Sequence, residues 1–432
     1  MASAQYRDLN RRDVFSGKRT SFVERVFSAA FSTGSAFSVA MFGFYSLSTM
    51  ISSDGDDNQS LSIFIRLFLV ALVAIAYIRR APRPFSRLDL VLLPGSAFLL
   101  IYTLRLYENI FISGVTVANG TAVVMGIFLA SGVIPAYAIS TRYRGIKDSD
   151  FIAVTIVLLL LMLLGMLRNL DTLVETSAVR MAMDRVNPIA LGHLGFSYLI
   201  FLVLSFRRSV WIKALAVLAV PALALVIVYA RSRGPYLAGS GALLLYVLLL
   251  KGGRRVWIVS ALGLAGVILG FLLRPDLVDI VTSQLSRSDL DSDLSNRLRV
   301  IAFTGAWNQF LDHPFVGRYV IELQTHYYPH NIYLESLMSV GLVGSIPFFI
   351  HFILSIRSAV GIIRDENSTI WATFAAVMFF REALGNFVSG GIWGATGFWI
   401  TSFLTIAVWY GGFPIAPRKE AARRAGRLPL RG

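Results

Sequence analysis

Apolar residues along this chain do not alternate with polar ones. They run in blocks of about 16 to 24, interrupted by short clusters of arginine, glycine and acidic residues. A helix needs about 20 mostly apolar residues to cross the hydrocarbon core of a bilayer. On that ruler the chain offers about twelve spans, near 29–50, 61–78, 88–107, 119–139, 151–167, 189–206, 210–230, 235–250, 256–273, 332–355, 369–387 and 395–411. The expected fold is all-α: a polytopic integral membrane protein with a helical domain over 29–411, a polar segment 1–28 before it and a basic tail 412–432 after it. No internal repeat is visible.

Composition agrees, since 56% of the 432 residues are hydrophobic, above the roughly 45–50% of soluble domains. Residues 1 to 25 are polar and basic, so no cleavable signal peptide is expected. The net charge of +15 sits in short clusters between apolar blocks, which suits orientation in a bilayer and not a nucleic-acid partner. Segment 1–28, "IRRAPRPFSR", "TRYRGIKD", "FRRS", "KGGRR", residues 356–368 and the tail hold about 26 of the 40 lysines and arginines. All seven fall on one side of the trace. By the positive-inside rule that side is cytoplasmic and carries both termini. The absence of cysteine excludes disulfides, thiolate metal sites and a cysteine nucleophile.

One outward loop, 274–331, is far longer than its neighbours, and long loops are often functional. Within "SNRLRVIAFTGAWNQFLDHP", Val300, Phe303, Trp307, Phe310 and Leu311 recur at helical spacing, with Ser295 or Asn296 as candidate N-cap and Pro314 past the end. The spacing predicts an amphipathic helix that either lies at the outer membrane surface or packs on the bundle.

Outward loops are normally poor in cations, yet Arg168, Arg180, Arg185, Arg231, Arg233, Arg274, Arg287, Arg297, Arg299 and Arg318 all fall there. Arginine forks suit phosphate, although neighbouring aspartates would occupy several of these side chains. Arg66, Arg105 and Arg381 lie inside spans, in the outer third of each. They either snorkel to the outer interface or border a cationic cavity.

Of the five histidines, His351 falls near the inner end of its span, His193 near the outer end of another, and His313 in the turn "LDHPFVG". His330 stands at the outer mouth of the span beginning at 332, where an imidazole could accept a proton near neutral pH. His330-Asn331 precedes nine residues, then Gly341-x-x-Gly344. This pattern resembles the signature of the O-antigen ligase and O-antigen polymerase superfamily. "YARSRGPYLA" resembles the family's Ser-Arg-Gly stretch and places Arg233 on its first functional arginine. "NRLRVIAFTGAWNQFLDHPFVGRY" resembles the loop carrying the second and places Arg297 there. The aromatic often found after that loop arginine is replaced by Val300 to Phe303, so Arg299 competes with Arg297. The resemblance covers about residues 185–350.

The resemblance implies a bacterial inner-membrane glycosyltransferase whose site faces the periplasm. It would move a glycan from an undecaprenyl-pyrophosphate-linked donor to a glycan or lipid A core acceptor, by inversion, without cofactor or divalent metal. His330 would be the catalytic base. Arg233, Arg297 and Arg299, with Arg231, Arg185 and Arg381 as further candidates, would hold the pyrophosphate. Tyr327, Tyr328, Trp307 and Asn331 are candidate sugar contacts, while Gly341 and Gly344 suit close helix packing. Polymerase is slightly favoured over ligase, since nothing marks a lipid A core site; a chain-length regulator would then be a partner beside the lipid bilayer itself. Two rival readings are a metal-dependent transferase using Asp54 to Asp57 in "DGDD" and a lipid-linked oligosaccharide flippase or other transporter.

Overall fold

A computed structural model describes residues 30–50, 58–78, 87–115, 121–168, 188–230, 232–250 and 294–412. The expected span 256–273, the first half of the long loop, the basic tail, Asp54 to Asp57, Arg185 and Arg231 lie outside these residues. The other eleven apolar blocks all fall on helical segments. In chain order these are α1 (Thr33–Ser38 and Phe44–Ser48, joined by a π-helical Val39–Gly43), α2 (Asn58–Ile78) and α3 (Arg87–Tyr107, running into a π-helical Glu108–Ile112). Next come α4 (Thr121–Ile127 and Ile134–Thr141 around a π-helical Phe128–Val133), α5 (Asp148–Arg168), α6 (Pro188–Ser205), α7 (Val210–Tyr229) and α8 (Arg233–Leu249). The loop helix α9 (Leu294–Asp312) is followed by α10 (Ile332–Arg364), α11 (Ile370–Val388) and α12 (Thr396–Gly411). No strand occurs among the described residues. Among the described residues, five helices are long and apolar enough to cross a membrane: Arg87–Ile112, Val124–Thr141, Asp148–Arg168, Val210–Val228 and Ile332–Arg364.

The packing keeps an apolar interior but also turns apolar side chains outward and buries small hydroxyl residues between helices. Leu93, Leu100, Leu104, Val217, Leu218, Leu244, Leu248, Ile346 and Ile353 point outward, whereas Ser339, Ser355, Ser358, Thr401, Ser402 and Thr405 are fully buried. Each of those hydroxyls donates to a backbone carbonyl one turn back in its own helix, for example Ser339 Oγ to Glu335 O at 2.6 Å and Ser355 Oγ to His351 O at 2.8 Å. Small polar residues between helices and leucine outside is the pattern of a bundle surrounded by lipid. At the centre, Phe98, Tyr102, Phe348, Phe398 and Trp399 stack between α3, α10 and α12.

The loop helix forms as expected, with part of its apolar stripe packed inward and part left exposed. Ala302, Ala306 and Phe310 are buried, while Val300, Trp307 and Leu311 are about half exposed. Small residues win the inner face because α9 lies close against α10 and the 321–325 turn, where Gly305 abuts the Glu322 carboxylate. Ser295 and Asn296 both lie inside the helix and so do not precede its first turn.

Candidate active site

The His330 turn is assembled from backbone outward. Inside α10, Gly341 adopts φ 64° and ψ −172°, a conformation essentially reserved for glycine, and the helix breaks there. The freed N–H groups find carbonyls in the turn after α9: Leu342 N donates to Pro314 O at 2.8 Å and Val343 N to Phe315 O at 3.1 Å. In return Arg318 N donates to Met338 O at 3.2 Å. Gly317, also at positive φ, presses its backbone against Ser339 to Gly341, so neither glycine leaves room for a β-carbon. The His-Pro-x-x-Gly turn and the Gly341 position are thus two halves of one contact. Arg105 and Asn109 of α3 fasten the same loop, Arg105 Nη2 to Val316 O at 2.8 Å and Asn109 Nδ2 to Arg318 O at 2.9 Å.

From there the buried Glu322 carboxylate accepts from Gln324 N at 2.8 Å and Thr325 N at 2.7 Å, and Glu322 N donates to Tyr327 O at 2.8 Å. That reversal delivers Tyr327 and Tyr328 to His330, with ring centroids 5.4 and 4.6 Å from the imidazole. His330 has φ 57°, a left-handed conformation uncommon for a residue with a side chain. Its carbonyl accepts from Gly390 N at 3.4 Å. Asn331 caps α10, its Oδ1 accepting from Tyr333 N and Leu334 N at 3.0 Å each and its Nδ2 donating to Phe387 O at 3.0 Å. Its amide thus serves as helix cap and as a tie to α11. Burial, and then the positive charge of Arg299, push the His330 imidazole down to about 4. Its Nδ1 is buried without a partner among the described residues.

Beside this turn lies a cavity of about 390 Å³ lined by the middles of α1, α2 and α4 and by residues of α6, α11 and the start of α12, with Tyr328 in its wall. Its walls include residues of the π-helical stretches Val39–Gly43 and Phe128–Val133, and π-turns are frequent at functional sites. Arg381, only 6% exposed, lines the cavity and donates from Nη1 to His193 O at 3.1 Å while pairing with Glu382. Arg66 lies over the Phe44 ring at 4.7 Å and donates to Ser131 Oγ at 3.1 Å. Of the two readings of the intramembrane arginines, the cavity one describes Arg66 and Arg381. Arg105 instead pairs with Glu108 and ties down the loop.

The remaining expected residues fall as follows. Arg233 occupies the first turn of α8, and a β-carbon on the adjoining Gly234 would sit 3.9 Å from Val388, two residues before Gly390. Arg299 acts electrostatically on His330, whereas Arg297 is exposed and no described contact ties it to the imidazole. Trp307 is 46% exposed on the outer face of α9 and does not line the cavity. His313 fixes its turn through Gly317 N, which donates to His313 O at 3.0 Å.

Two elements were missed from the sequence. Glu335, fully buried, accepts from Tyr102 Oη at 2.6 Å and from Ile392 N at 2.9 Å, and so fastens the 389–395 segment that holds His330. That segment belongs to "SGGIWGATG", residues 389–397, a wall of the cavity. A lone acid at the head of an apolar span and a glycine-dense link between two spans were the available signals.

Fold and site together define a multi-pass helical membrane protein with a polar site where its longest helix begins. Residues 218–349 match the family model described as O-antigen ligase. The match takes in 132 of the 432 residues and makes that stretch similar to the O-antigen ligase family. No curated protein matches the chain.

Proposed function

We propose that the protein transfers a glycan from undecaprenyl pyrophosphate to a sugar hydroxyl at the periplasmic face of a bacterial inner membrane, acting as a polysaccharide polymerase. In this reading about twelve spans carry both termini in the cytoplasm, and the loop that includes α9 faces outward. The observation that carries it is the His330 turn: a strained, neutral imidazole beside the Arg299 charge, at the edge of a polar cavity. The His330 imidazole takes the proton of the acceptor hydroxyl as that oxygen bonds to the anomeric carbon from the face opposite the leaving group. The bond from that carbon to the phosphate oxygen breaks, and the pyrophosphate leaves with the electron pair. Arg299, with Arg233 and Arg297, stabilises the departing charge. The configuration at the anomeric carbon inverts.

Purified protein given a lipid-linked repeat alone is expected to yield a ladder of longer glycans, also in the presence of a chelator. Product only after addition of lipid A core would make it a ligase, and no product with either acceptor would remove the reading.

The depressed imidazole also sets a pH dependence. A base with a lowered pKa stays neutral further into acid, so the acid limb of kcat/KM, which reports the free protein, is expected near pH 4 and not near 6.5. Arg299→Gln removes the cation that disfavours protonation and should move the limb upward by part of that gap, since burial is the larger cause. Bound pyrophosphate offsets the same cation, so the limb of kcat should lie above that of kcat/KM. Coincident limbs near 6.5 would contradict the buried imidazole.

A further inference from the structure

We propose that the cavity beside Tyr328 is the acceptor-sugar subsite, with the Arg381–Glu382 pair as its specificity element. This rests on the glycan-transfer reading. Four observations carry it. First, the cavity touches the His330 turn through Tyr328, whose ring packs on the imidazole. Second, none of Arg233, Arg297 and Arg299 is among its described lining residues. The three cations that the proposed function places on pyrophosphate are thus absent from the described lining, whereas Arg381, a further pyrophosphate candidate in the sequence, is reassigned here to the acceptor because Glu382 pairs with it.

Third, the cavity chemistry suits hydroxyls better than a pyrophosphate. Glu382 would repel a multiply charged anion. Next to Arg381 and near Asn386 it instead offers planar donors and acceptors for neighbouring sugar hydroxyls, while Tyr328 and Trp393 supply apolar ring faces. A volume of about 390 Å³ falls within the roughly 300–1,000 Å³ of small-molecule sites. Fourth, the guanidinium is more than nine-tenths buried, yet its Nε has no partner among the described residues, and neither has Nδ1 of His193 on the same wall. Both atoms are closed to the cavity space, and the guanidinium is held in the wall through Nη1 on His193 O and Nη2 on Glu382, which fixes the pair in place for recognition.

Because the chain has no cysteine, single thiols can test this without background. Ser389→Cys and Gly394→Cys place a thiol in the cavity wall; the Gly394 position is open, its β-carbon meeting only Gly391 O at 3.7 Å. Leu311→Cys, on the exposed face of α9, serves as control. Labelling by a water-soluble maleimide is measured in the purified full-length protein with and without two probes: oligosaccharide released from the source cells' own surface glycan, and inorganic pyrophosphate. The oligosaccharide is expected to slow labelling at 389 or 394 but not at 311, and pyrophosphate to protect none of them. Glu382→Gln should raise the concentration giving half-protection by about tenfold or more. Protection by pyrophosphate alone, or by neither probe, overturns the subsite. A glycan ladder without thiol protection removes the subsite and leaves the transfer reading standing; thiol protection with no product from either acceptor removes the transfer reading and leaves the cavity a glycan-binding site only.

Discussion

His330→Ala protein is expected to fold normally and to transfer glycan about 10²- to 10⁴-fold more slowly, the ordinary contribution of a positioned general base. This corresponds to about 3–5 kcal/mol of transition-state stabilisation. Folding should survive because the contacts holding the turn belong to the backbone and to neighbours: Gly390 N on the His330 carbonyl, the Asn331 cap and the Gly341 contact. The loss should appear in kcat with KM little changed, since the proton moves only as the new bond forms. His330→Asn is the sharper partner variant, because asparagine tolerates positive φ but offers no base. A loss of tenfold or less in both would make His330 a residue that shapes the turn, with the proton going to solvent. The left-handed backbone at 330 points the other way, since strain of this kind costs of order 1–3 kcal/mol and persists where the surrounding structure enforces it.

Helix positions were readable because bilayer thickness imposes one length on every span, so a block of apolar residues carries its own boundaries. His330 was readable because a motif placed it at a hydropathy edge. For α9, periodicity left two surroundings open: Val300, Trp307 and Leu311 stay about half exposed, as a membrane-surface face would, whereas the face against α10 and Glu322 is made of Ala302, Ala306 and Gly305, which a count of large apolar residues passes over. The cavity was legible only as two alternatives for Arg66 and Arg381. Distinguishing a snorkelling arginine from one lining a polar cavity requires the partners, and Ser131 and His193 are remote in sequence from both. Glu335 illustrates the same limit. Its role depends on Tyr102 and Ile392, which only the tertiary fold brings to it.

Gly341→Ala should be among the most damaging single substitutions in the chain, costing more than about 4 kcal/mol of stability, a loss confined to a few physical mechanisms. Two of those apply here together. At φ 64° and ψ −172° an alanine pays the backbone term of about 1–3 kcal/mol. Its β-carbon would also lie about 2.4 Å from the Phe315 carbonyl carbon and 2.5 Å from Gly317 N. Relieving that clash means moving the 314–317 turn away and breaking the bonds to Leu342 N and Val343 N, each worth about 0.5–1.5 kcal/mol. Gly114→Ala gauges the cost of a positive φ without a clash, because Gly114 shares the φ of 64° but has nothing within 4 Å of its β-carbon position. It should cost only about 1–2 kcal/mol. Thermal melts of both variants in detergent decide the matter: equal losses would mean that conformation alone requires glycine at 341 and that the backbone contact is incidental. With the larger loss at 341, the stretch from 313 to 331 is loosened at the point where it is tied to α10, and glycan transfer should fall even though His330 and Arg299 are untouched.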